Sequence, residues 1–191
     1  MGGEPPAGRC QVHRPASYFL NYQHLGAMII KMDDELEFYN PHLGILTFDE
    51  VIEAIVGEME ADPEAHYEIL VGTDSSTGTD TIDLVSAIVI HKIGKGGRYF
   101  WTRRREPKIP SLRQKIWREA WLSFELAQRL LSRLSQISLL SFNLEIHVDI
   151  GENGRTKAMI DEVVGMIIGS GFAVRIKPQA YAASSVADKY T

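Results

Sequence analysis

The hydrophobic positions of this chain change period several times, and each change marks an element. Val51, Ile52, Ile55, Val56 and Met59 fall at helical spacing. Thr47 and Glu50 form a capping box in front of them, and Asp62-Pro63 closes the run. The pattern then turns to strand. "YEILVGT", from Tyr67 to Thr73, predicts a first strand, and "TIDLVSAIVIHK", from Thr81 to Lys92, a second. "GKGG", from Gly94 to Gly97, predicts a hairpin turn, and "RYFWTRRR" returns as a third strand. Pro107 and Pro110 break the chain, and Ser111 is placed to cap a long helix reaching about Leu134. "FNLEIHVD", from Phe142 to Asp149, predicts a fourth strand. A helix follows from about Thr156 to Ile168, stopped by Gly169 and Gly171. "FAVRIK" is the fifth strand, and a small-residue helix from about Ala180 to Tyr190 ends the chain.

Three strands in hairpin order make an antiparallel meander. The long helix then permits a crossover that lays the fourth strand parallel beside the first. The expected fold is α/β: a mixed five-stranded sheet, three strands antiparallel and the later ones parallel, with helices on both faces. Residues 1–39 show no steady period, and "GEPPAG" reads as disordered. They are expected to form a partly disordered N-terminal extension, with residues 40–191 as the domain. Met32 opens a natural-looking start, "MDDELEFYNP", so the residues before it read as a variable extension or a misassigned start.

Composition narrows the class. At 191 residues and 45% hydrophobic content, one compact domain is enough. The single cysteine, Cys10, excludes a disulfide within the chain and suits a reducing cytoplasm. No apolar run approaches the roughly 18 residues of a membrane span, and the N-terminus lacks the pattern of a signal peptide. A cytoplasmic protein without a membrane partner is expected. The oligomeric state is left open.

The net charge of −5 argues against a generic nucleic-acid binder, but the charge is uneven. Half of the 20 Lys and Arg residues lie between Lys92 and Arg118, opposed only by Glu106. Such a segment can steer a polyanion, or be a solvated face with ordinary helix surface charge. Arg103, Arg104, Arg105, Lys108 and Arg113 within it, with Lys177 farther on, are the candidate phosphate contacts.

Four acids complete the picture. Asp74 ends the predicted first strand in "EILVGTDSSTGTD", and Asp149 ends the fourth. On adjacent parallel strands, about 4.8 Å apart, both would emerge at one sheet edge. Glu119 falls within the apolar arc of the long helix formed by Leu112, Ile116, Ala120, Phe124, Ala127, Leu130 and Leu131. A carboxylate facing a core is costly unless paired or metal-bound. Asp188 lies on the last helix, whose Ala182, Ala183, Ser184 and Ser185 permit close approach to the sheet. An all-carboxylate set favours Mg²⁺ or Mn²⁺, and a pair of such ions suits phosphodiester chemistry. The plain alternatives are aspartates in turns and a helix-edge Glu119 paired with a neighbouring cation.

From about Asn40 to Thr191 the chain resembles the ribonuclease-H-like superfamily, and within it the bacterial YkuK-type branch, to which no activity is assigned. "GTDSS" from Gly72, "KIPSLRQKIWREA" from Lys108, "EIHVDIG" from Glu145 and "IKPQAYAASSVADKYT" from Ile176 carry the likeness. The resemblance implies a ribonuclease-H-like core and a metal site formed by Asp74, Glu119, Asp149 and Asp188. Asp74 matches the first-strand acid that would bridge two ions, and Asp149 the acid ending the fourth strand. Glu119 and Asp188 are placed by helix position.

Two functions are therefore expected in competition. One is a metal-dependent nuclease acting on RNA, RNA/DNA hybrid or branched DNA. The other is a nucleic-acid-binding module that keeps the fold without turnover. A small-molecule phosphotransferase is weaker, since "GKGG" has neither the spacing nor the context of a phosphate loop. His147, two residues before Asp149, reads as a core histidine or a proton relay. Trp101, Trp117 and Trp121 read as packing or as base-stacking surfaces. Ser75 and Ser76 read as turn residues or as donors near the metal.

Overall fold

The computed structural model describes residues 36–137, 141–151, 159–180 and 182–191. The expectations for the segment before Met32, and for a helix start near Thr156, fall outside these residues. The described elements are β1 (Phe38–Asn40), β2 (Gly44–Leu46), α1 (Phe48–Glu60), β3 (Tyr67–Thr77), β4 (Thr81–Lys92), β5 (Gly96–Pro107), α2 (Leu112–Ile137), β6 (Phe142–His147), α3 (Ile160–Gly169), β7 (Ala173–Arg175) and α4 (Ala182–Tyr190).

The strands form one mixed sheet in the order β2-β1-β5-β4-β3-β6-β7. β3, β4 and β5 are the expected antiparallel meander, and β6 and β7 add in parallel beside β3. Seven strands replace the five expected. The two extra ones, β1 and β2, are three residues each, too short to show a period. They are held by tertiary contacts: Phe38 is fully buried against Phe48, and Tyr39 pairs with Trp101.

Side-chain alternation separates the two faces. Phe38, Val71, Ile88, Phe100 and Ile146 join the apolar sides of α1, α2 and α3 in the main core. On the opposite face α4 packs over β3 and β4, with Ala187 against Val85 and Ala87. Local chemistry explains the helix starts. Thr47 Oγ1 accepts from Glu50 N–H, and the Glu50 carboxylate accepts from Thr47 N–H at 2.7 Å, the reciprocal box the sequence suggested. Ser111 Oγ likewise accepts from Gln114 N–H at 3.2 Å ahead of α2. Of the arc expected on α2, Leu112 and Leu131 lie exposed, while Ile116, Ala120, Phe124, Ala127 and Leu130 are buried. Among the described residues no helix is long and apolar enough to cross a membrane.

Candidate metal and nucleic-acid site

The first strand does not stop at Asp74. β3 runs on to Thr77, pairing Asp74 with Val85, Ser75 with Leu84 and Thr77 with Ile82. Ser75 and Ser76 are therefore strand residues and not a turn. What does stop nearby is the parallel neighbour. The β3–β6 register ends at Gly72 opposite His147. Asp74 lies two residues past that pair within β3, whereas Asp149 lies two residues past it in the segment after β6, so Asp149 does not end the fourth strand as expected. Beyond β6 the chain is steered by Val148 N–H to Arg175 C=O at 3.0 Å and by Lys177 N–H to Ile150 C=O at 2.9 Å.

Burial, then the neighbouring charges of Asp149 and Asp188, push the Asp74 carboxyl above its usual range. Asp188 is itself exposed, and its charge also reaches Lys177. Lys177 Nζ lies 2.5 Å from Asp149 Oδ1, an ion pair off the axis of a well-aligned hydrogen bond. Asp74, Asp149 and Asp188 thus share one electrostatic neighbourhood, with Lys177 and Lys115 as its cations.

Glu119 reaches this neighbourhood from the other face. It is 6% exposed, and its Oε1 accepts a 2.6 Å hydrogen bond from Ser75 Oγ. Lys115, one turn earlier on α2, places Nζ 3.7 Å from the same oxygen and donates to Ser75 C=O at 3.0 Å. Burial raises the Glu119 carboxyl to about 7, against the lowering effect of Ser75 and Lys115, while Asp74 and Asp149 push it up further. Behind it runs a buried hydroxyl chain. Ser123 Oγ donates to Glu119 C=O at 2.9 Å and to Thr73 Oγ1 at 3.0 Å, which in turn meets Ser86 Oγ at 2.8 Å.

The donor set is chemically suited to a hard divalent cation: four carboxylates, two of which, Asp74 and Glu119, are pushed upward in pKa first by burial and then by neighbouring acids. Among the described residues, however, no three acids or histidines stand close enough to form a ready-made cage. Lys115 and Lys177 supply the compensating charge instead. His147 is buried, and its pKa is lowered first by that burial; Nε2 lies 3.7 Å from Glu145 Oε2.

The basic segment does not form one patch. Arg103 and Arg105 point to the α4 face, level with Asp74 and just beyond it, while Arg104 points to the α2 face, where its charge acts on Glu106. Arg105 clasps Asp83 through two bonds of 2.6 and 2.8 Å. Arg113 pairs with Glu162, Lys108 Nζ donates to Thr79 C=O at 3.3 Å, and Arg103 donates to Tyr190 C=O. Trp101 is partly buried and stacks on both Tyr39 and Tyr190, so its ring is already engaged in packing. Sequence reasoning missed Lys115 and Tyr190. The four-residue spacing of Lys115 and Glu119 is a visible signal; the Tyr190 contact joins positions 89 residues apart and leaves none.

The family model described as Ribonuclease H-like matches residues 50–191. This chain belongs to the ribonuclease H-like family. It is 34% identical over 174 residues to the uncharacterized protein YkuK of Bacillus subtilis (strain 168), covering 84% of this chain and 99% of that protein. No solved structure matches the chain significantly.

Proposed function

We propose that this ribonuclease H-like chain is a divalent-cation-dependent nuclease of the cytoplasm, hydrolysing phosphodiester bonds in RNA, RNA/DNA hybrid or structured DNA. One observation supports the reading: Asp74 and Asp149 each follow the last parallel pair, Gly72 and His147, by two residues, and the Asp149 charge acts on the Asp74 carboxyl. Asp74, Glu119, Asp149 and Asp188 would hold Mg²⁺ or Mn²⁺. Such ions, once bound, supply Lewis-acid stabilisation of charge developing on phosphoryl oxygens. Ser75 and Lys115 orient the Glu119 carboxylate. Arg105, Arg113 and Lys177 keep more than half of their side-chain surface in solvent, so each can share its charge with a phosphate as well as with its acidic partner. Arg103, Arg104 and Lys108 contribute positive potential from β5 and the segment after it.

A second reading is a nucleic-acid-binding module without turnover. It is favoured by the absence of a preformed cage among the described residues and by the lysines already paired with Glu119 and Asp149. One experiment separates the two. RNA, hybrid and branched-DNA substrates are incubated with Mg²⁺ or Mn²⁺, using wild type and Asp74→Asn. The nuclease gives cation-dependent cleavage lost in Asp74→Asn. Salt-sensitive binding without cleavage, equal in both proteins, establishes the module.

A further inference from the structure

We propose that Tyr190 is a positioning residue: by stacking on Trp101 it docks α4 so that Asp188 is held at the Asp74 edge of the sheet. The role of Asp188 in this inference rests on the metal-site reading above.

α4 has nine residues, too few to persist as a helix without tertiary contacts. Its described apolar contacts are Val186, Ala187 and Tyr190. Ala187 is fully buried over Val85 and Ala87, and this fixes the helix's orientation. At about 100° per residue, Tyr190 then projects about 60° to one side of Ala187 and Asp188 about 100° to the other. Tyr190 meets β5 on its side. Asp188 faces the side of β3 and Lys177, where its charge acts on both Asp74 and Lys177. The two residues are opposite arms of one short lever.

The Tyr190 arm is heavily fastened. Its ring lies 4.4 Å from that of Trp101 at 14°, and Tyr39 also stacks on Trp101 at 4.8 Å and 21°. Tyr190 Oη is 2.9 Å from Tyr99 Oη. Arg103 donates to Tyr190 C=O while its guanidinium lies 5.6 Å from the Trp101 ring centre. Three β5 residues, Tyr99, Trp101 and Arg103, thus converge on Tyr190, with Tyr39 of β1 stacked on Trp101. The Asp188 arm has no comparable fastening: it is exposed, and its carbonyl accepts from Thr191 Oγ1 at 3.0 Å. Its placement follows from the seating of Ala187 and the clamp on Tyr190.

The test uses the full chain carrying Tyr190→Ala, Tyr190→Phe, Asp188→Asn, and the first and third combined. Amide exchange across 182–191 reads the clamp directly, with or without metal. An aromatic pair is worth about 0.5–1.5 kcal/mol, so Tyr190→Ala speeds exchange there by up to about tenfold, while Tyr190→Phe, which keeps the stack, stays near wild type. Unchanged exchange in Tyr190→Ala overturns the clamp. Titration with Mn²⁺ reads the consequence. Asp188→Asn weakens binding about tenfold or more, Tyr190→Ala weakens it by up to about tenfold, and the double variant is no weaker than Asp188→Asn. Losses that multiply show that Tyr190 acts by another route and overturn the proposal. Wild type that binds no Mn²⁺ removes the metal reading and with it the role given to Asp188. Wild type that binds Mn²⁺, with Tyr190→Ala binding equally well, removes only the present inference.

Discussion

Ser75 Oγ and Glu119 Oε1 lie 2.6 Å apart, joining the strand that carries Asp74 to the helix that runs behind it. The bond gives a 6% exposed carboxyl its side-chain donor, since Lys115 stands farther off at 3.7 Å. Removing a donor from a buried acceptor costs about 1–3 kcal/mol. Ser75→Ala is therefore expected to lose that much in urea unfolding with EDTA present. The exposed neighbour Ser76 sits on the other face, and Ser76→Ala should stay within about 0.5 kcal/mol of wild type. Equal effects at the two positions would show that the Ser75 bond contributes nothing.

The same carboxyl sets a pH dependence. Its pKa rises from 4.5 to about 7 because burial disfavours the charge. Below 4.5 the group is protonated in folded and unfolded chains alike. Between 4.5 and 7 the folded chain binds more protons than the unfolded one, so its contribution to stability falls as pH rises. Above 7 the contribution is fully lost, a change of at most about 3 kcal/mol. Glu119→Gln in EDTA is expected to match wild type near pH 4.5, gain on it steadily to pH 7, and hold a constant advantage above. A stability difference that does not vary with pH would contradict this.

Lys177 makes opposite predictions for cation and polyanion. Its ammonium is 2.5 Å from Asp149 Oδ1 yet 58% exposed, so it competes with a divalent ion for that oxygen. A half-exposed ion pair is worth up to about 1 kcal/mol, so Lys177→Gln should tighten Mn²⁺ binding by up to about fivefold. It should also weaken RNA binding and lower the slope of log affinity against log salt by about one. Calorimetry and a salt titration measure the two. Weaker Mn²⁺ binding in the variant would mean that Lys177 supports the site instead of competing for it.

Periodicity carried much of the fold, because α1 buries one regular face, β4 reads as a long apolar strand run, and Thr47 and Glu50 mark a helix start by local bonding alone. It failed where long-range contacts outvote local preference. "DSST" has turn chemistry, yet β4 pairs with it as far as Thr77, and Glu119 draws Ser75 inward. β1 and β2 are too short for any period and depend on Phe38, Tyr39 and Trp101. The arginine run looks like one patch in one dimension; the two-residue alternation of β5 divides it between faces. That Asp74 and Asp149 belong to neighbouring parallel segments was legible from strand order, although β3 runs on to Thr77 and β6 stops at His147. The Lys177 partner of Asp149 was not, since it depends on how the chain leaves β6.

The β3–β4 pairing sets Asp74 level with Val85, and the β4–β5 hairpin sets Val85 level with Arg103. Gly97 pairs with His91 next to the turn, and a Cβ there would stand 2.6 Å from the carbonyl oxygen of Ile90. The obstacle is backbone, so no side-chain rotation relieves it, and the strands must part or slide. Gly97→Ala is expected to cost about 1–3 kcal/mol. Gly165 provides the contrast. It lies inside α3 with nothing within 4 Å of its added Cβ, so Gly165→Ala should stabilise by about 0.5–1 kcal/mol through helix propensity. Urea melts of the two variants decide the point. Because the hairpin holds Arg103 beneath Tyr190, Gly97→Ala should also speed amide exchange in α4, whereas Gly165→Ala should leave α4 unchanged. Loss of stability without that change would separate the hairpin register from the docking of the last helix.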